Sequence, residues 1–438
     1  MMSIRWATGF LLGLGLFILA DVETANSDMI IQLKDGRVLT LPIEPGELES
    51  ITFGEPPAAS QREIGNETPT ASDDAINLIR VGPTRLYKVP SQAARVAKDG
   101  SIVEIDAGLY PGDVAIWRQN DIVLRGVEGL AHLDAQGNAA ERKAIWVIKG
   151  DNVTVEGIEF SGCRVPDKNG AGIRLEGRNL TVRNSYFHDN EMGILTGKKP
   201  DSDIVIEFSE FYRNTVDYKK YGRLGHNIYI GKVRSFILRG SYVHGAMIGH
   251  NVKTWARTNH ILYNRIMDEA DGGSSYLVDL AGGGDAHVVG NIFHQSAHTD
   301  NWAMISYAAE GGRENAGAQI YVVNNTFLNE LGKGVFFQNR SASLANLVNN
   351  IFVGDGTLVE GPSRLVTNLV NVDPRFANVT AHDYNLIAGS PAIDVGQEPN
   401  TAGDVPVVPE FEYVHPTSVR PRPRQGALDA GAYEFAGP

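Results

Sequence analysis

Tyr229, Lys253 and Asp279 stand in three short β-branched phrases: NIYIG at residues 227–231, NVKT at 251–254 and YLVDL at 276–280. Alternate side chains of a strand face opposite sides. If Ile228, Ile230, Val252, Val278 and Leu280 fill a core, then Asn227, Tyr229, Asn251, Lys253, Leu277 and Asp279 face outward. Strands stacked about 4.8 Å apart would align Tyr229, Lys253 and Asp279 in a ladder spanning about 10 Å. The phrase GHN occurs at residues 225–227 and again at 249–251, 24 residues later, which stacks His226 on His250 where the strands begin. An amine, a phenol, two imidazoles and a carboxylate in one place are the parts of proton-transfer chemistry. Lys253 is the candidate base, and Tyr229, His226 or His250 the candidate acid. Asp279 has a second reading as the ion-pair partner of Lys253, which would raise the lysine pKa and spoil it as a base. Glu310 and Arg313, in AAEGGR, are loop candidates.

The charge around this ladder is uneven. Between Arg213 and Arg257 there are nine cations, Lys220, Arg223 and Arg257 among them, and Asp217 is the single acid. Such a segment focuses anionic ligands. It also supplies cations that would lower the pKa of Lys253. Arg257, Arg223 and Lys220, with Asn227, Asn251 and Asp279, are therefore the expected ligand-binding residues.

The elements that must hold these residues recur along the chain. A β-rich phrase closes on Phe160, Phe187, Phe211, Val243, Ile266, Phe293, Phe327 and Phe352, at intervals of 27, 24, 32, 23, 27, 34 and 25 residues. Two positions before each closing residue stands Ile158, Ser185, Ser209, Ser241, Asn264, Asn291, Asn325 or Asn350. Small polar residues in register suit stacked turns, whose amides can hydrogen-bond up and down a column. Each unit carries a second strand phrase, and helical periodicity is nearly missing. The pattern describes an all-β parallel solenoid, a β-helix. It leaves no room for the crossover helices of a doubly wound fold. The two long intervals place extra loops on either side of the ladder, which is how a solenoid builds a cleft. Such a solenoid needs capped ends. A short small-residue helix beginning at Ser91 is expected over the first coil, and the C-terminal stretch along the last coils.

Composition bounds the rest. The chain has 438 residues, 48 of them Gly, and a formal charge of −13. The glycines ask for many tight turns. One cysteine, Cys163, excludes an intrachain disulfide framework and a structural zinc site built on several thiolates. The acidic total argues against nucleic acid as a partner. Residues 1–25, with one Arg ahead of the apolar run 10–20, have the layout of a secretory signal peptide, too short to span a bilayer. No stable membrane span is expected after its removal, and the protein is expected to be periplasmic or secreted. Residues 26–54 read as a small β appendage with a hairpin turn at Asp35-Gly36, residues 55–77 as a linker, and residues 78–438 as the solenoid with its tail.

These phrases resemble right-handed parallel β-helix proteins of the pectate-lyase-like superfamily, from about Arg80 to Phe435, including IVEIDAGLYPG and AGSPAID…GAYEF. The segment GHNVKTWARTNHILYNRI at 249–266 is similar to the part of chondroitinase B-like and alginate lyases that carries a catalytic lysine, and Lys253 falls on that lysine. Those lyases bring an Arg-His pair from the next coil, where this chain has YLVDLAGGG, with Asp279 near the Arg position. That departure leaves the acid open. The resemblance implies β-elimination on an anionic, uronate-type polysaccharide, with Ca²⁺ as a possible cofactor. C5-epimerisation on the same site, hydrolysis by Asp279 and Glu310, and non-catalytic polysaccharide binding stay open beside it.

Overall fold

The computed structural model describes residues 28–32, 38–42, 77–311, 318–399 and 407–437. The chain divides into two compact units, Met1–Ser72 and Asp73–Pro438. In the first, Asp28–Gln32 pairs antiparallel with Val38–Pro42, with Asp28 opposite Pro42. The expected turn at Asp35-Gly36, the leader at 1–25, most of the linker and Arg313 lie outside the described residues.

The second unit is a parallel β-solenoid. Ten strands, one per coil, stack into one sheet: β1 (Ala115–Trp117), β2 (Ala144–Ile148), β3 (Ala171–Leu175), β4 (Met192–Thr196), β5 (His226–Ile230), β6 (Val252–Thr254), β7 (Val278–Leu280), β8 (Ala303–Tyr307), β9 (Val335–Asn339) and β10 (Thr357–Glu360). Another 21 strands form a second parallel assembly, to which most coils give two short strands, such as Leu180–Arg183 and Tyr186–His188, and the tail adds two antiparallel pairs, Phe376–Asn378 with Asp383–Leu386 and Phe411–Val414 with Ser418–Pro421.

Register carries the core. Ile173, Ile194, Ile228, Val252, Val278, Ile305 and Phe337 lie in one inward row of the ten-stranded sheet and are fully buried. The closing residues of the repeat form a second row. Phe160, Phe187 and Phe211 stack with centroids 4.7 Å apart at each step, and Phe293, Phe327 and Phe352 at 4.9 Å. Offset stacking in register adds to the burial term.

The expected polar column is present. Ser185 N–H donates to Ser209 Oγ, Ser209 N–H to Ser241 Oγ, and Ser241 N–H to Asn264 Oδ1. From there Asn264, Asn291, Asn325 and Asn350 pass side-chain amide bonds of 2.9–3.0 Å from one to the next, and Asn350 donates to Asn368. Each buried amide is thereby satisfied, as burial requires.

A short helix, α1 (Pro90–Ala94), packs near the first coils. Its N-cap is Val89 and Pro90 opens it, so Ser91 is not the cap. Pro is preorganised for that first position. The C-terminal tail reaches well behind the last coils. Tyr384, Tyr413 and Tyr433 cover Ile292 and Leu328, Val407 joins Tyr263, Val289 and Val323, and Arg422 and Glu434 form a buried ion pair at 2.7 Å. Among the described residues no helix is long and apolar enough to cross a membrane.

Candidate functional site

The outward row of the ten-stranded sheet runs Arg174, Leu195, Tyr229, Lys253, Asp279, Ser306, Gln338 and Glu360. Tyr229, Lys253 and Asp279 thus occupy consecutive rungs, as their spacing requires. Lys253 is only 7% exposed. Its Nζ donates to Asp279 Oδ2 at 2.8 Å and makes a second, very short contact with Glu310 Oε1. Glu310 comes from the loop after β8, held there by its N–H on Ala281 O at 3.1 Å.

Burial opposes charge on both members of this pair. On Lys253 the two carboxylates outweigh burial, and the pKa stands above that of an ordinary lysine. On Asp279, fully buried, desolvation wins over the ammonium and lifts the pKa above the usual carboxylate range. The expectation that Arg257 and its neighbours depress the lysine pKa is therefore corrected. Arg257 is exposed at a turn, and the groups that set the state of Lys253 are Asp279 and Glu310. In this arrangement Lys253 carries its proton at neutral pH.

His226 and His250 stack at 4.9 Å, with Tyr229 at 5.6 Å from His226 and Tyr276 at 5.0 Å from His250. The His250 N–H donates to His226 Nδ1 at 2.9 Å, and the Tyr276 N–H to His250 Nδ1 at 3.2 Å. Both imidazoles are therefore neutral with hydrogen on Nε2. Burial pushes His226 down to about 3 and His250 well below its ordinary value. Neither ring is an imidazolium in this arrangement, and both serve as rungs that fix the strand starts. His250 Nε2 lies 3.6 Å from Asp279 Oδ2. Glycine makes this stack possible, since a Cβ on Gly249 would sit 1.5 Å from Gly225 O.

Asn227 and Asn251 do not face outward. Both are fully buried and belong to a second amide column. Asn214 Nδ2 donates to Asn227 Oδ1, Asn227 Nδ2 to Asn251 Oδ1, and Asn251 Nδ2 to Met267 O. Asn227 is the second residue of β5 and Asn251 stands just before β6, and at this strand entry two-residue alternation fails. Leu277 is likewise in the core rather than outside.

The cationic segment is dispersed by the fold. Arg234 pairs with Asp203, Arg239 with Glu207 and Arg213 with Asp271, all acids of other coils. Lys220 and Arg223 are exposed on the loop that holds α2 (Tyr218–Tyr221) and leads into β5. The ammonium groups of Lys220 and Lys168 lie 4.9 and 4.3 Å from the Tyr221 ring. The charge expected as one patch is thus a cationic loop beside a neutralised ladder.

Sequence reasoning missed Trp255, Tyr276 and Trp302. The Lys253 and Lys232 ammonium groups lie 6.0 and 5.2 Å from the Trp255 ring. Trp302, 53% exposed, precedes β8. The signal available was two tryptophans in loops flanking the ladder phrases.

Ca²⁺ does not fit these residues. That ion takes six to eight oxygen ligands, whereas His250, Asp279 and Glu310 offer one imidazole and two carboxylates, and the Lys253 ammonium already lies between the two acids.

Residues 133–297 match the family described as a right handed β-helix region. No curated protein matches the chain. Among solved structures, the pectate lyase Pel9A is similar with a TM-score of 0.57 and 14% identity, over 82% of this chain and 97% of its own. An alginate lyase from Paenibacillus sp. str. FPU-7 (TM-score 0.34, 16% identity, 64% of this chain, 96% of its own) is more distant. So is the PL6 family alginate lyase AlyGC (0.34, 14%, 80% and 47%). The chain is a right-handed parallel β-helix, pectate-lyase-like in fold. At these identities the likeness concerns the fold and not the chemistry.

Proposed function

We propose that the protein is an exported enzyme that cleaves an anionic, uronate-type polysaccharide by β-elimination at Lys253. The observation that carries this reading is a lysine held on the outer face of the ten-stranded sheet. It lies one rung from Tyr229 and 6.0 Å from the Trp255 ring, and the cationic α2 loop leads into β5, the strand of Tyr229. The reaction removes the proton α to the uronate carboxylate and expels the glycosidic oxygen. Lys253 is the base once it has given up its own proton, Tyr229 the donor to the leaving oxygen, and Lys220, Arg223 and Arg257 the cations that attract the polymer. Asp279 is a positioning residue that orients the Lys253 amine. The likeness to Pel9A supports a carbohydrate polymer as substrate, and the leader-like residues 1–25 support a place outside the cytoplasm.

Hydrolysis by the Asp279–Glu310 pair is less well supported. Their oxygens lie within 4.8 Å, but Asp279 is fully buried, so no glycosidic oxygen reaches it. A panel of acidic and neutral polysaccharides tests the proposal. Unsaturated products absorbing in the ultraviolet from a polyuronate are expected. Solvent deuterium in the polymer without cleavage would make the protein an epimerase. Reducing ends without absorbance would make it a hydrolase, and binding without either change would leave a polysaccharide-binding protein.

A further inference from the structure

His132, Glu159 and His188 come from three successive coils and meet on the outer face of the second sheet assembly. His132 is directly opposite Glu159 in register, and His188 lies opposite Ser161, two residues further along the same strand. His188 Nε2 is 3.1 Å and His132 Nδ1 3.5 Å from the same atom, Glu159 Oε1. One ligand atom from each of the three lies within 4.8 Å of the others. A tetrahedral ion with ligands at about 2.0–2.2 Å holds those ligands about 3.4 Å apart. Two of the three edges already match that spacing.

The far side of each ring is also anchored as a ligand requires. His188 Nδ1 bonds Asp189 Oδ2 at 2.9 Å, and His132 Nε2 bonds Ser161 Oγ at 2.7 Å. Partners on the remote nitrogen fix the tautomer and turn the other lone pair inward. Tyr186 stacks on His188 at 4.5 Å and limits its rotation. Among the described residues no lysine or arginine pairs with Glu159, in contrast to Glu310 beside Lys253. The three side chains are 26, 20 and 17% exposed, so solvent can deliver an ion and fill a fourth position.

We propose that His132, Glu159 and His188 form a site for a divalent transition-metal ion of the Zn²⁺ class, which staples three coils of a solenoid that lacks disulfides. Two imidazoles with one carboxylate suit Zn²⁺ and its neighbours in the first transition row, and not Ca²⁺ or Mg²⁺.

Titration of Zn²⁺ into the full chain, followed by calorimetry, tests this. One equivalent is expected to bind, with a rise in thermal midpoint. Glu159→Gln and His188→Asn are expected to weaken binding by at least about tenfold. Glu310→Gln is expected to leave it intact, which separates this site from the lysine ladder. Co²⁺ added to the unsubstituted protein provides a second reading that does not depend on any variant folding: tetrahedral visible absorption is expected. Failure of both ions to bind would overturn the proposal. So would full-strength binding in both Glu159→Gln and His188→Asn.

Discussion

The state of Lys253 decides how the site can work. Its two carboxylate partners hold the proton on, so the fraction able to accept a proton is small at neutral pH and grows as pH rises toward the raised lysine pKa. Activity is accordingly expected to climb about tenfold per pH unit on the alkaline side until the protein unfolds or the pKa is passed. Asp279→Asn removes one of those carboxylates. The lysine pKa falls, and the rising limb of the pH–rate profile is expected to move to lower pH. Glu310→Gln should move it in the same direction. A profile that stays in place in both variants would mean that Lys253 is not the group being titrated. The same ion pair contributes to the fold. A lysine whose folded pKa is raised adds stability that is fully present below its unfolded pKa, about 10.4, and is lost as pH rises through the folded value.

At the scale of elements, the solenoid depends on columns that run along it. Asn291 donates to Asn325 and receives from Asn264, and it is fully buried. Asn291→Ala leaves buried partners unmet and is expected to cost about 1–3 kcal/mol, measured by chemical denaturation. Gly249→Ala tests the close approach under the histidine stack. The added Cβ meets backbone rather than a movable side chain, so this variant is expected to lose the ladder's geometry and its activity together. Much of this level was legible in the sequence. The repeat interval and the closing Phe and Asn residues specified the coil, because a two-residue alternation and a turn amide leave a direct mark on residue type. Asn227, Asn251 and Leu277 were misplaced because they stand at strand starts, where alternation no longer applies. The charge segment was misread for a related reason. Arg234, Arg239 and Arg213 look uncompensated along the chain, yet other coils put an acid beside each.

At the scale of the whole molecule, a protein with one buried free cysteine is held by stacking and by its tail. The tail crosses coils as far back as Tyr242, whose ring lies 5.0 Å from that of His415, and the Tyr263 hydroxyl accepts the Glu410 N–H at 3.0 Å. Tyr413 is 2% exposed in the cluster that seals Ile292 and Leu328. Tyr413→Ala is expected to cost about 3–5 kcal/mol, read as a lowered denaturation midpoint, while a tail that only decorates the surface would give almost no change. Composition suggested the tail's path along the last coils but not its reach, since that depends on which outward faces of the coils remain apolar.

β-Elimination at this site requires the Lys253 amine to remove the proton. The most direct measurement is the rate of unsaturated-product formation from a polyuronate by Lys253→Arg beside the unsubstituted protein. Arginine can keep the ion pair with Asp279 and Glu310 but does not give up its proton. A folded Lys253→Arg protein with its rate reduced by about 10²–10⁴ is the expected result. A Lys253→Arg protein that forms the unsaturated product at the full rate would contradict it.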